Sequence, residues 1–95
     1  MPARVPTWTL VGMDADDVID HDGPVPPYVQ LAEILAARIA RGDWSPGRRM
    51  ASESDLVQQY GLARSTVRKA VARLVDEGLV RTVPQRGTYV VGSQG

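Results

Sequence analysis

The sequence predicts a mainly α fold closed by a small β-hairpin: three helices, then two short strands. Three observations carry this. Apolar residues recur at helical spacing in three stretches between Pro27 and Glu77. Gly42, Gly61 and Gly78 stand where such stretches end, and Gly suits the left-handed position after a helix. Beyond Gly78 the period changes to β-rich segments at 79–83 and 88–91, joined by Pro84-Gln85-Arg86-Gly87.

The first helix is expected at 27–41. Pro27 is tolerated in a first turn because the N–H it lacks would be unpaired there. Tyr28, Leu31, Leu35 and Ile39 form the stripe, and Ile34 broadens it. Ser45-Pro46-Gly47-Arg48 then places Pro and Gly at the two central positions of a type II turn. Trp44 is expected to plug the core beneath that turn, and Met50 to lie in a one- or two-residue strand.

The second helix is expected at 53–60. Ser52 and Asp55 match a capping box, and acidic residues in a first turn suit the helix dipole. Leu56, Val57 and Tyr60 supply its apolar face. The third helix is expected at 64–77, with Val67, Ala70, Val71, Leu74 and Val75 buried. Arg64, Ser65, Arg68, Lys69 and Arg73 lie off that stripe. The hairpin carries Arg86 at its tip.

Composition bounds the function. The 95 residues allow one small domain. With no Cys, disulfides, thiol catalysis and cysteine-held zinc are excluded, and a reducing cytoplasm fits. His21 is the only histidine, which argues against a His-based metal site or triad. No apolar run reaches the ~20 residues of a membrane span, and no signal peptide is legible. The expected location is the cytoplasm, on the nucleoid.

Net charge is zero, but it is segregated. Residues 1–26 carry one Arg against five Asp, and residues 27–95 carry ten Lys/Arg against six Asp/Glu. A basic body behind an acidic extension suggests a polyanionic partner, set against the plain alternative of solvated surface charge. Residues 1–26 read as a flexible acidic extension in which 5–11 could form a short strand bearing Trp8 and Leu10. Residues 27–92 read as the domain, and 93–95 as a frayed tail.

A short helix, a tight turn at Gly61-Leu62 and a basic helix make a helix-turn-helix. With the hairpin as wing, the fold class is a winged helix-turn-helix of three helices plus wing. The second helix of such a pair can enter the DNA major groove with its first residues on base edges. That assigns base reading to Arg64, Ser65 and Thr66. Arg64 can pair with guanine O6 and N7. Arg68 and Lys69 are assigned to the DNA backbone, and Gln85, Arg86 and Thr88 to the wing contact. The bland alternative is a solvated face of an amphipathic helix; the order of elements and Arg86 weigh against it.

Other sites are weak. The aspartates from Asp14 to Asp22 do not match the calcium-loop spacing. Tyr28, Trp44 and Tyr60 read as core rather than as a stacking platform. No acid, base or nucleophile constellation is legible, so an enzyme is not expected. A winged-helix protein-interaction module is the second reading, motivated by Trp8 and Leu10 beside the acidic segment.

Residues 27–91 resemble the DNA-binding domain of the GntR family of bacterial transcription regulators. The carriers are Pro27-Tyr28 with Gln30, Gly42 with Pro46-Gly47, Ser52-Glu53 with Leu56, and Tyr60-Gly61. They continue through Arg64-Ser65-Thr66-Val67-Arg68, Leu74, Gly78-Leu79-Val80 and Arg86-Gly87-Thr88-Tyr89-Val90. The resemblance implies a winged helix, a two-fold dimer on double-stranded DNA, and transcriptional control, usually repression. It implies base reading at Arg64, base or phosphate contacts at Ser65, Thr66 and Arg68, and approach to DNA at Ser52, Ser54, Arg86 and Gly87. Three departures stand out. Ala51 replaces the usual Pro, and Ala63 the usual capping Ser or Thr. The metabolite-binding, dimer-forming C-terminal domain of the family is the third. The chain is therefore read either as a solo DNA-binding protein or as a fragment of a larger effector-responsive regulator. No cofactor and no small-molecule effector are expected within it.

Overall fold

A computed structural model of the chain describes residues 18–91. The strand expected at 5–11, Asp14, Asp16, Asp17 and the tail 93–95 lie outside the described residues. Three helices and a hairpin follow in the expected order: α1 (Pro27–Ala40), α2 (Glu53–Tyr60), α3 (Arg64–Asp76), β1 (Val80–Val83) and β2 (Gly87–Val90).

Each helix boundary has a local cause. Pro27 occupies the first turn of α1. Ser52 Oγ accepts the Asp55 N–H at 3.0 Å while an Asp55 carboxylate oxygen accepts the Ser52 N–H at 3.1 Å, a complete capping box for α2. Gly61 ends α2 in the left-handed region at φ +66. No side chain caps α3, whose N-cap is Ala63. The first and third helices end one residue before the expected limits, at C-caps Arg41 and Glu77.

The core lies where the three helices meet the inner face of the hairpin. Leu31 and Leu35 of α1, Leu56 of α2, Val67 and Leu74 of α3 and Val80 of β1 are fully buried. Truncating any of these leucines to Ala would cost about 2–5 kcal/mol. Leu62, in the turn between α2 and α3, is buried too, so the helix-turn-helix angle is fixed by packing. Val75 departs from expectation: it is 38% exposed. It follows Leu74 by 100° around α3, past the edge of the helices and onto a groove shared with Thr82 and Thr88. Trp44 is half-buried against the core, with the Arg38 guanidinium 4.5 Å above its ring.

The antiparallel hairpin pairs Val80 with Val90 and Val83 with Gly87. Its second strand therefore starts at Gly87 rather than Thr88. Val91 leaves the ladder because its N–H goes to the Leu79 carbonyl at 2.9 Å. The strand expected near Met50 is a single bridge at Arg49, paired with Tyr89. Around it, Met50 N–H donates to Thr88 O and Val90 N–H to Arg48 O, both at 2.9 Å. The type II turn before it is in place: Arg48 N–H reaches Ser45 O at 3.0 Å, and Gly47 takes φ +84. Ahead of α1, the Gln30 side chain exchanges two 2.8 Å bonds with the Asp20 backbone and donates to Val25 O at 2.7 Å. Residues 20–25 are thus tied to the helix, and Ile19 packs on the core.

Candidate nucleic-acid interface

Arg64, Arg68, Ser52, Ser54, Arg86, Gly87 and Thr88 come together along one surface, from the start of α3 across the first turn of α2 to the hairpin tip, whereas Lys69 turns toward Tyr28 of α1. At its centre is Glu53. Its Oε1 accepts a hydrogen bond from Arg64 Nη1 at 3.2 Å, and its two oxygens accept from Arg68 Nε at 3.1 and 3.2 Å. Arg64 Nη2 also donates to Ser54 Oγ at 3.2 Å. Arg64 and Arg68 lie one turn apart on α3, so one carboxylate on the neighbouring helix can face both. Both guanidinium groups stay open to solvent, with side chains 48% and 65% exposed. Arg64 is therefore outward-facing, as its place off the buried stripe implies, and is held by Glu53 and Ser54.

The remaining residues divide. Ser65 is exposed at the start of α3, whereas Thr66 is half-buried. Lys69 is exposed, with its Nζ 5.4 Å over the Tyr28 ring. Ser52 uses its hydroxyl oxygen as the α2 cap, which leaves the hydroxyl hydrogen to donate outward. A groove of about 340 Å³ runs from Glu53 and Arg68 along α3 to Thr82 and Thr88 of the hairpin. A second cleft, of about 280 Å³, separates Ser52 and Asp55 of the α2 cap from Arg86 and Gly87 at the wing.

The wing tip is a tight turn. Arg86 N–H closes it on Val83 O at 3.0 Å, with Gln85 at φ +65. Arg86 is exposed, and no ion pair is formed by it among the described residues. Two residues of this surface were not singled out in the sequence: Glu53 and Arg49. Glu53 enters there as a first-turn acid suited to the helix dipole and as part of the Ser52-Glu53 pair that carries the family resemblance, without a role at the interface. Its partners sit 11 and 15 positions away, a separation that only the crossing of α2 and α3 closes. Among the described residues no group of three His, Cys, Asp or Glu is placed to hold a metal ion, and no helix is long and apolar enough to cross a membrane.

Residues 27–90 match the family model of bacterial regulatory proteins, gntR family. The chain belongs to the gntR family. Its match to the transcriptional repressor NagR of Bacillus subtilis is 39% identical over 72 residues, 76% of this chain and 30% of that protein. A histidine utilization repressor of Pseudomonas putida is 34% identical over 74 residues, 78% of this chain and 30% of that protein. This gntR-family chain thus spans about three tenths of the length of the curated relatives it matches. Among solved structures, the DNA-binding domain of AraR in complex with operator ORE1 superposes with TM-score 0.69 at 37% identity, covering 70% of this chain and 82% of that one. YtrA of Sulfolobus acidocaldarius, a GntR-family transcription factor, gives TM-score 0.69 at 37% identity, covering 83% and 82%. The gntR-family winged helix expected from the sequence is therefore the observed fold.

Proposed function

We propose that this chain is a sequence-specific double-stranded DNA-binding transcription regulator that acts as a repressor. The single observation that carries the reading is the surface around Glu53. Two arginines one turn apart at the start of α3 stand solvent-open, flanked by an uncapped helix start on one side and a protruding basic hairpin on the other. The operator complex of AraR, which shares this fold at 37% identity, supports the same partner here.

In this reading α3 enters the major groove. Arg64, Ser65 and Thr66 meet base edges, and the guanidinium of Arg64 is matched to guanine O6 and N7. Ser52, Ser54, Arg68 and Lys69 grip phosphates and fix the register. The wing, Gln85 to Thr88, lies on the neighbouring backbone or minor groove. Two copies bind a palindrome with half-sites about 10 bp apart, as two reading helices on one face of the duplex require. The DNA-reading unit is residues 27–92, in the cytoplasm on chromosomal DNA, and no effector site or catalytic role is assigned to it.

The test is in vitro selection of duplexes from a random pool with the 95-residue chain. The expected product is a short palindrome with one dominant guanine per half-site. A pool that stays random through repeated rounds, at low and at physiological salt, defeats the reading.

A further inference from the structure

We propose that Arg49 is a positioning residue for the wing, acting on DNA through Arg86. The inference rests on the DNA-binding reading above and deepens it.

Four observations converge on this side chain. Its guanidinium Nη1 donates to the Arg86 carbonyl oxygen at 3.1 Å, across 37 positions of sequence. Its aliphatic stem lies against Gly87: a Cβ built there would stand 2.8 Å from Arg49 Cδ and 3.3 Å from Cγ. Its backbone is bridged to Tyr89 of β2, so the side chain starts from a fixed point. Among the described residues no ion pair involves Arg49, so no carboxylate draws it from the turn.

The turn needs such a hold. Val83 to Arg86 closes with the bond of a β-turn, with Pro84 at its second position and Gln85 at its third. Gln85 takes φ +65 there, where Gly or Asn is favoured, and Gly87 takes φ +127. A glutamine in the left-handed region carries a conformational cost, and the following glycine adds freedom. Pro84 pre-sets its own φ, but Gln85 and Gly87 leave the rest of the turn weakly determined. Arg49 supplies the missing constraint from outside: a stem under Gly87 and a donor on the peptide that joins Arg86 to it. An anchored peptide limits where the Arg86 side chain can point. Arg86 then meets DNA with less freedom left to lose, which is how preorganisation raises affinity. Lysine would supply a compact point charge in place of the planar fork.

The test uses the 95-residue chain and the duplex chosen by selection. Arg49→Met keeps the stem and removes the donors. Arg49→Met is expected to weaken binding about three- to tenfold, the net worth of one such hydrogen bond. Hydroxyl-radical protection should fall at the flanks contacted by the wing and persist at the centre contacted by α3. In an Arg86→Ala background, Arg49→Met should add no further loss, because the two residues act in series. Losses that multiply in the double variant, or unchanged binding by Arg49→Met, overturn the proposal. A DNA-free arm separates it from the reading it rests on. Amide ¹⁵N relaxation should show Gln85, Arg86 and Gly87 rigid in the parent and mobile in Arg49→Met. If the wing stays rigid in both, Arg49 does not hold it, whatever the DNA result. If selection enriches no duplex while the wing loosens as described, the DNA reading has failed and the hold on the turn stands, but its role on DNA is overturned.

Discussion

Two carboxylates in this molecule each hold two arginines, and they do opposite things with them. Asp43, after α1, accepts from Arg38 Nε at 2.8 Å and from Arg41 Nε at 3.0 Å. Glu53, at the start of α2, accepts from Arg64 and Arg68 at 3.1 to 3.2 Å. The chemistry is the same; the surroundings differ. The Arg38 side chain is only 18% exposed, stacks on Trp44, and donates to the Tyr60 hydroxyl at 2.9 Å. That guanidinium has several partners in fixed positions, and it ties the end of α1 to the end of α2. Arg64 and Arg68 are open to water, and a phosphate or a guanine edge could replace Glu53 as acceptor without dismantling any packing. Burial and the number of partners, rather than ion pairing itself, separate a structural rivet from an exchangeable grip.

The largest effect should come from breaking the exchangeable grip. Arg64→Ala is expected to weaken binding to the selected duplex by about 1–3 kcal/mol and to relax one base position. Its melting temperature should hardly move, because an exposed ion pair contributes little to folding. Fluorescence anisotropy on a panel of single-base variants, with a thermal melt beside it, checks both halves. A large fall in melting temperature with unchanged affinity would reverse the comparison.

Breaking the rivet should give the mirror image. Arg38→Ala removes a stacked guanidinium and a charged donor to the Tyr60 hydroxyl. That should destabilise the fold by about 2 kcal/mol. For a domain of this size the midpoint should fall by roughly 8–16 °C. Affinity for the duplex, measured well below the new midpoint, should stay within about twofold, since Arg38 lies away from the proposed contacts. Loss of specific binding without loss of stability would place Arg38 on the DNA surface instead.

Glu53→Gln sharpens the comparison from within the site. The exchange keeps an acceptor for Arg64 and Arg68 but removes the negative charge from a surface proposed to face phosphates. Non-specific affinity should rise about threefold at low salt, in keeping with a surface charge worth under 1 kcal/mol. Discrimination between the selected duplex and a random one should fall, because the arginines are less firmly aimed. Titrations on both duplexes at several salt concentrations read the two effects separately. Unchanged discrimination would make Glu53 a bystander in orientation.

How legible these two clusters were in the sequence follows from how local their causes are. The α2 capping box spans three residues, so Ser52 and Asp55 read directly as a helix start, and the helix was placed at its observed limits. Gly47 and Gly61 announced their left-handed positions in the same way. Arg64 and Arg68 could be read as surface residues from helical period alone. Their partner could not, because Glu53 reaches them only once α2 and α3 cross. Arg49 escaped for the same reason: its contacts lie in a hairpin 37 positions on. Val75 shows the complementary limit. Period marks it as apolar-face, but only the placement of the hairpin decides that this edge of α3 is left open. The Asp43 cluster was invisible too, since a charged residue beside Gly42 carries no signal of the Trp44 and Tyr60 it helps to organise.

The smallest effect concerns the rivet in acid, and its sign follows from linkage. Hydrogen bonds from Arg41 and Arg38 pull the Asp43 carboxyl down from its usual 3.8 to about 2. A carboxyl whose folded value lies below its unfolded value stabilises the fold wherever it is ionised in both states. That contribution is complete above about pH 4 and disappears as pH falls through about 2, where both states bind the proton. Asp43→Asn, a neutral isostere, removes the contribution at every pH. The parent should therefore melt ~2–4 °C above Asp43→Asn at neutral pH, a margin set by partly exposed pairs. The margin should shrink between about pH 4 and 2 and should also narrow in high salt, because Arg41 and Asp43 keep access to solvent. The equivalent margin for Glu53→Gln should be smaller at neutral pH, its pairs being longer and more open. Equal margins for the two variants, or an Asp43 margin that survives below about pH 2, would mean that burial around Arg38 and Trp44 does not distinguish the two clusters after all.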